Sequence, residues 1–96
     1  MAIKVKIFGV LRLQSGIREL ELPLGWQAKS LRKILNALGK LKGLEELARL
    51  SDSDFPSKDL AFIIMIDGKN CLQINGLDTL VKDGQLVAIF PPSAGG

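Results

Sequence analysis

Two hydrophobic periods within one short chain limit the folds open to it. Ile3, Val5 and Ile7 alternate with Lys4, Lys6 and Phe8, the spacing of a strand with one buried face. "IRELEL" at Ile17–Leu22 alternates again, with Leu20 and Leu22 inward and Glu19 and Glu21 outward. A Gly- and Ser-containing bend joins the two runs, so they read as an antiparallel pair that Pro23 and Gly25 terminate. From about Gln27 the period lengthens: Leu31, Ile34, Leu35 and Leu38 recur at three and four residues, one apolar helical face with Gly39 as its stop. Strands first and a helix after them give an α+β domain, one sheet with a helix on one face.

The second half adds strands. "LEELARL" at Leu44–Leu50 predicts a short second helix with Leu44, Leu47 and Ala48 inward, and "SDSDFPSKD" is a polar loop. The continuous apolar run Leu60–Ile66 predicts a central strand covered on both faces. Asp67-Gly68 is a tight-turn signal before a further strand at "CLQI", and Lys82-Asp83-Gly84 makes another turn before the last strand, Gln85–Phe90. Cys71 falls in this strand pattern and reads as a packing residue rather than a sulfur donor.

Composition removes several kinds of chemistry. The chain has no histidine, which excludes a His-based triad within it, and one cysteine, which excludes an internal disulfide or a Cys-rich zinc site. Thirteen basic against ten acidic residues leave a net charge of +3, and the aromatics are four Phe and one Trp. Neither feature supplies the basic stripe or stacking platform of a nucleic-acid binder. Lys29, Arg32, Lys33 and Lys40 lie opposite the apolar helical face, either as a solvated face or for docking to an acidic partner. Leu60–Ile66 falls far short of the roughly 20 apolar residues of a spanning helix, and the N-terminus lacks the apolar core of a secretion signal. A cytoplasmic protein with no membrane partner is the expectation.

The chain closes on "FPPSAGG". Pro91 and Pro92 end sheet pairing and favour an extended exit. The residues after Phe90 can reach at most roughly 20 Å from the sheet. Ser93, Ala94, Gly95 and Gly96 carry almost no side chain, which suits entry into a narrow channel on another protein. The α-carboxylate of Gly96 is the distinctive reactive group, and it reacts only after activation. No G-x-x-x-x-G-K-[ST] motif is present to bind ATP, so a partner must activate it.

"GLDTLVKDGQLVAIFPPSAGG" at Gly76–Gly96 resembles the C-terminal signature of the ubiquitin-like sulfur carriers, in particular the small subunit of molybdopterin synthase and, more distantly, the thiamine-synthesis carrier. "IIMIDGKN" at Ile63–Asn70 and "IKVKIFG" at the start extend the likeness. The resemblance implies a β-grasp domain over residues 1–90: a mixed sheet of four to five strands on one main helix, plus a short second helix. Residues 91–96 are then a flexible tail. It implies that a ubiquitin-activator-like enzyme adenylates Gly96 with ATP, that a thiocarboxylate follows, and that the large synthase subunit uses its sulfur to build the molybdopterin dithiolene. The chain is then a non-catalytic carrier with no cofactor or metal of its own, Pro91 to Gly95 being the inserted tail. Protein modification, tRNA thiolation or thiamine synthesis are the alternative fates of the activated carboxylate.

By position, Phe8 and Phe90 match family aromatics that form a docking surface. Phe8 lies either on the open sheet face or beneath the loop that follows it. The chain departs from the pattern in three places. Gln85 replaces an aspartate in the last turn, which removes one charge and little else. Gln27 stands near the usual helix-capping threonine, leaving Trp26 to pack over the helix end. Lys40–Asp59 is longer than in compact members.

Overall fold

The computed structural model describes residues 2–23, 28–52 and 62–92. In chain order these form β1 (Ala2–Ile7), α1 (Gly9–Ser15), β2 (Glu19–Pro23), β3 (Lys29–Ser30), α2 (Leu31–Leu38), α3 (Glu45–Ser51), β4 (Ile63–Ile66), β5 (Lys69–Asn70), two 3₁₀ turns (Cys71–Gln73 and Gly76–Asp78), β6 (Leu80–Val81) and β7 (Leu86–Phe90). The main sheet is mixed and five-stranded, ordered β2-β1-β7-β4-β5; β3 and β6 form a separate small pair. This is the β-grasp architecture that the sequence led us to expect.

Strand alternation builds the core. β1 pairs antiparallel with β2, Val5 opposite Leu20, and parallel with β7, Val5 opposite Val87. Ile3, Val5, Ile7, Val87, Ile89, Ile64 and Ile66 share the inner face and are buried, with Leu20 and Leu22 half-buried against them. The four apolar positions of α2, Leu31, Ile34, Leu35 and Leu38, close over this face and are buried too. Each such side chain stabilises the fold by about 1.5–3 kcal/mol.

Several elements differ from the sequence expectation. The bend after β1 is helix α1, seven residues with Leu11 as its buried residue. Gly16 ends it in the left-handed conformation (φ 73°) and donates its N–H to the Arg12 carbonyl. The main helix begins at Leu31, later than Gln27, because Lys29 and Ser30 are held extended opposite Val81 and Leu80. A capping hydroxyl is present after all: the Ser30 oxygen accepts from the Lys33 N–H at 3.3 Å. Trp26 and Gln27 lie outside the described residues.

In α3, Leu47 and Leu50 are buried with the preceding Leu44, whereas Ala48 is only half-buried. Ala48 instead sets how closely α3 approaches α2: a Cβ placed on Gly39 would stand 2.4 Å from the Ala48 Cβ. Arg32 is not a plain solvated cation either. Its guanidinium donates to the Ser51 carbonyl and lies 3.7 Å from the Asp78 carboxylate, tying α2 to the end of α3 and to the second 3₁₀ turn. Most of the "SDSDFPSKD" loop lies outside the described residues.

β4 starts at Ile63 and is covered on one face only: Ile64 and Ile66 are buried, Ile63 is 48% exposed and Met65 half-buried. The strand expected at "CLQI" does not form: β5 is Lys69 and Asn70 alone, and Cys71–Gln73 coils into a 3₁₀ turn that the Asn70 side chain caps. Asp67 (φ 50°) and Gly68 (φ 81°) form the tight turn between β4 and β5. Gln85 does more than drop a charge. Its amide oxygen accepts from the Lys82 N–H, and its nitrogen donates to Asp67 Oδ2 at 3.1 Å, where an aspartate would repel. Among the described residues no helix is long and apolar enough to cross a membrane.

Replacing Gly39 by Ala is expected to destabilise the fold by about 1–3 kcal/mol through overpacking against Ala48, measured by urea unfolding. Gly39 has a helical φ of −66°, so the effect is steric. A neutral or stabilising result would contradict the close α2–α3 approach.

Candidate functional site

The outer face of the sheet carries the second half of every strand alternation. From β7 it takes Leu86, Ala88 and Phe90, from β4 Ile63 and Met65, and from β1 Lys4 and Lys6, with Phe8 continuing their phase. Register brings the apolar members together: Ile63 lies opposite Phe90, and Met65 opposite Ala88. The Phe8 N–H donates to the Ile89 carbonyl at 3.1 Å, which extends the β1–β7 pairing past Ile7.

That pairing lays one ring on the other. Phe8 and Phe90 stack with centroids 4.4 Å apart and planes at 14°. Both remain half-buried. Of the two sequence readings for Phe8 the outer-face position is the one observed. The residues after it form α1, and its ring rests on Phe90. Together with Ile63 and Met65 the pair makes a partly exposed apolar patch on the outer face.

The chain leaves the sheet at this patch. Pro91 is half-buried and Pro92 exposed. Gly9 adopts φ 65°, and a Cβ there would stand 3.0 Å from the Pro91 ring. A side chain at Gly9 would therefore be both strained and crowded. This contact fixes where the tail begins. Ser93, Ala94, Gly95 and Gly96 lie outside the described residues.

Sequence reasoning placed Phe8 and Phe90 here but missed Ile63 and Met65. The uninterrupted apolar run hid that half of β4 faces outward. The alternation in "QLVAIF" was the available signal, since it sets Leu86, Ala88 and Phe90 apart from Val87 and Ile89.

Cys71 is buried in the core, and burial pushes its thiol above the ordinary thiol range. It stays protonated at neutral pH and has no exposed sulfur to offer. Among the described residues no group of three His, Cys, Asp or Glu stands together to hold a metal ion.

Comparison with known proteins places this architecture. The model of the ThiS family matches residues 5–96. Small archaeal modifier protein 1 from Methanosarcina acetivorans is 29% identical, with 99% of this chain and 96% of that chain covered and a TM-score of 0.66. The BexX/CysO complex of Amycolatopsis orientalis contains a chain 26% identical, covering 99% of this chain and 100% of that one, TM-score 0.69. A chain in the complex of subunits 1 and 2 of the molybdopterin-converting factor from Helicobacter pylori is 21% identical over 100% of both chains, TM-score 0.61. This last likeness is one of fold. No curated protein sequence matches the chain.

Two outcomes are expected from this geometry. A double-mutant cycle on Phe8→Ala and Phe90→Ala, read by urea unfolding, should give a coupling of about 0.5–1.5 kcal/mol; no coupling would mean the rings do not stack in solution. Because the folded thiol of Cys71 titrates higher than the unfolded one, its contribution to stability is complete below about pH 8 and is lost as pH rises through the folded value. The native chain should accordingly resist iodoacetamide at mildly alkaline pH while the urea-unfolded chain reacts.

Proposed function

The chain belongs to the ThiS family, and on that basis we propose that it carries sulfur on the α-carboxylate of Gly96 as the small subunit of a molybdopterin synthase. Its fold is that of the ubiquitin-like sulfur carriers and modifiers. The observation that carries the reading is the stacked Phe8–Phe90 pair beside exposed Ile63, at the point where Pro91 leaves the sheet. An apolar landing face stands at the root of the tail, so a partner that grips the face also receives the tail.

The chemistry belongs to the end of the chain. A carboxylate is a poor electrophile, so a cytoplasmic adenylating partner joins the Gly96 oxygen to the α-phosphate of ATP and releases pyrophosphate. Sulfide delivered by a partner then attacks the Gly96 carbonyl carbon, the carbon–oxygen bond to AMP breaks, AMP leaves, and a thiocarboxylate remains. That terminal sulfur is a soft nucleophile for forming the dithiolene carbon–sulfur bonds in the large subunit. This chain binds no cofactor in the sequence; ATP belongs to the activating enzyme. Pro91 and Pro92 stiffen the root, and Ser93, Ala94, Gly95 and Gly96 thread the partner's channel.

A modifier role is the second reading, favoured by the likeness to the Methanosarcina modifier protein. There the activated Gly96 carbonyl is captured by a lysine amine rather than by sulfur. Incubation with the adenylating enzyme from the same genome, ATP and a sulfur source separates the readings. The sulfur carrier gains the mass of sulfur replacing one oxygen, and deletion of Gly96 abolishes the gain. Bands that survive a denaturing gel select the modifier, and an unchanged mass with no conjugates defeats both.

A further inference from the structure

We propose that a groove beside Phe8 is a second docking element, a receptor for an acidic segment of the protein that takes the tail. The inference rests on the carrier reading and names a property of its partner. The groove holds about 450 Å³ and is walled by Lys6 and Ile7 of β1, the adjoining Phe8, Arg12 of α1, Arg18 in the bend before β2, and Glu19 of β2. The fold brings these together through the Ile7 N–H, which donates to the Arg18 carbonyl at 3.0 Å. Helix α1, immediately after Phe8, adds Arg12.

Three cations thus surround one hollow with a single acid. That acid, Glu19, is already engaged by Lys4 at 3.4 Å. Among the described residues Lys6, Arg12 and Arg18 have no ion-pair partner. Like charges gathered round a concavity repel one another in the free protein and focus a positive potential outward. An incoming pair of carboxylates relieves the repulsion, and the planar forks of Arg12 and Arg18 suit carboxylates well.

Phe8 lines the groove and also stacks on Phe90, so the basic hollow and the apolar patch form one continuous surface. The apolar part supplies affinity, and the charged part fixes register and speeds encounter. The arrangement favours a protein over a nucleic acid. The cations ring one hollow instead of tracking along a stripe, and one face of the Phe8 ring is taken by Phe90 rather than offered to a base.

The test measures binding of the full chain to the adenylating enzyme and to the large synthase subunit from the same genome, by calorimetry at about 50 and about 500 mM KCl. For at least one of them, wild-type affinity should fall about tenfold across this range. Arg12→Gln/Arg18→Gln should bind about tenfold more weakly at low salt and lose most of the salt dependence. Phe8→Ala should weaken binding while keeping that dependence. All three side chains are at least partly exposed, and thermal melts check that each variant folds. If the arginine variant binds as the wild type does, with the same salt response, the acidic-segment proposal is overturned while the carrier reading survives. Loss by that variant of binding to a single-stranded oligonucleotide, with both partner affinities intact, overturns it in favour of nucleic acid. Failure of the wild type to bind either partner defeats this proposal together with the carrier reading.

Discussion

β1 and β7 run side by side and parallel at the centre of the sheet, and most other features depend on that contact. A parallel pair cannot be joined by a tight hairpin, so everything from α1 to β6 is the crossover between them. The crossover carries α2 and α3, whose leucines seal the inner face of the strands. Polar bonds hold the other end of the pair. The Ala2 N–H donates to Asp83 Oδ1 at 2.8 Å, and the Gly84 N–H donates to the Ala2 carbonyl at 2.9 Å. With both ends of the pair fixed, the phase of β7 is fixed, and so is which residue faces outward as the chain departs.

That phase divides the labour of the molecule. The inner face holds the domain together. The outer face presents Phe8, Phe90, Ile63 and Met65, and the reactive chemistry proposed for Gly96 lies beyond both. A carrier of this design needs no catalytic side chain, which agrees with a chain devoid of histidine whose one thiol is sealed in the core. What the fold contributes is a rigid root: the stacked rings and the Gly9–Pro91 contact set where the tail starts.

Much of this could be read in advance. The alternation of Ile3, Val5 and Ile7, and the three- and four-residue spacing of Leu31 to Leu38, specified the strand, the helix and their buried faces, because periodicity is a direct consequence of burial on one side. Helix α1 escaped because it is short and buries Leu11 alone among its residues, too little to print a period. The start of α2 shifted because β6, fifty residues onward in sequence, holds Lys29 and Ser30 extended. The openness of β4 escaped for a different reason: an apolar face left partly open reads in sequence like an apolar face turned to a core. Within the candidate site, Phe8 and Phe90 were legible, but the basic groove was not, since Lys6 lies in β1, Arg12 in α1 and Arg18 in the bend before β2, and only the fold gathers them.

The central position of β7 also bears on how the protein is made. Until Leu86–Phe90 has left the ribosome, β1 and β4 have no strand between them, and the apolar side of the sheet cannot close. A copy broken off before this strand stays unfolded and open to proteolysis. The folded population is thereby screened for chains whose synthesis has run through the root of the tail, before any activating enzyme meets them.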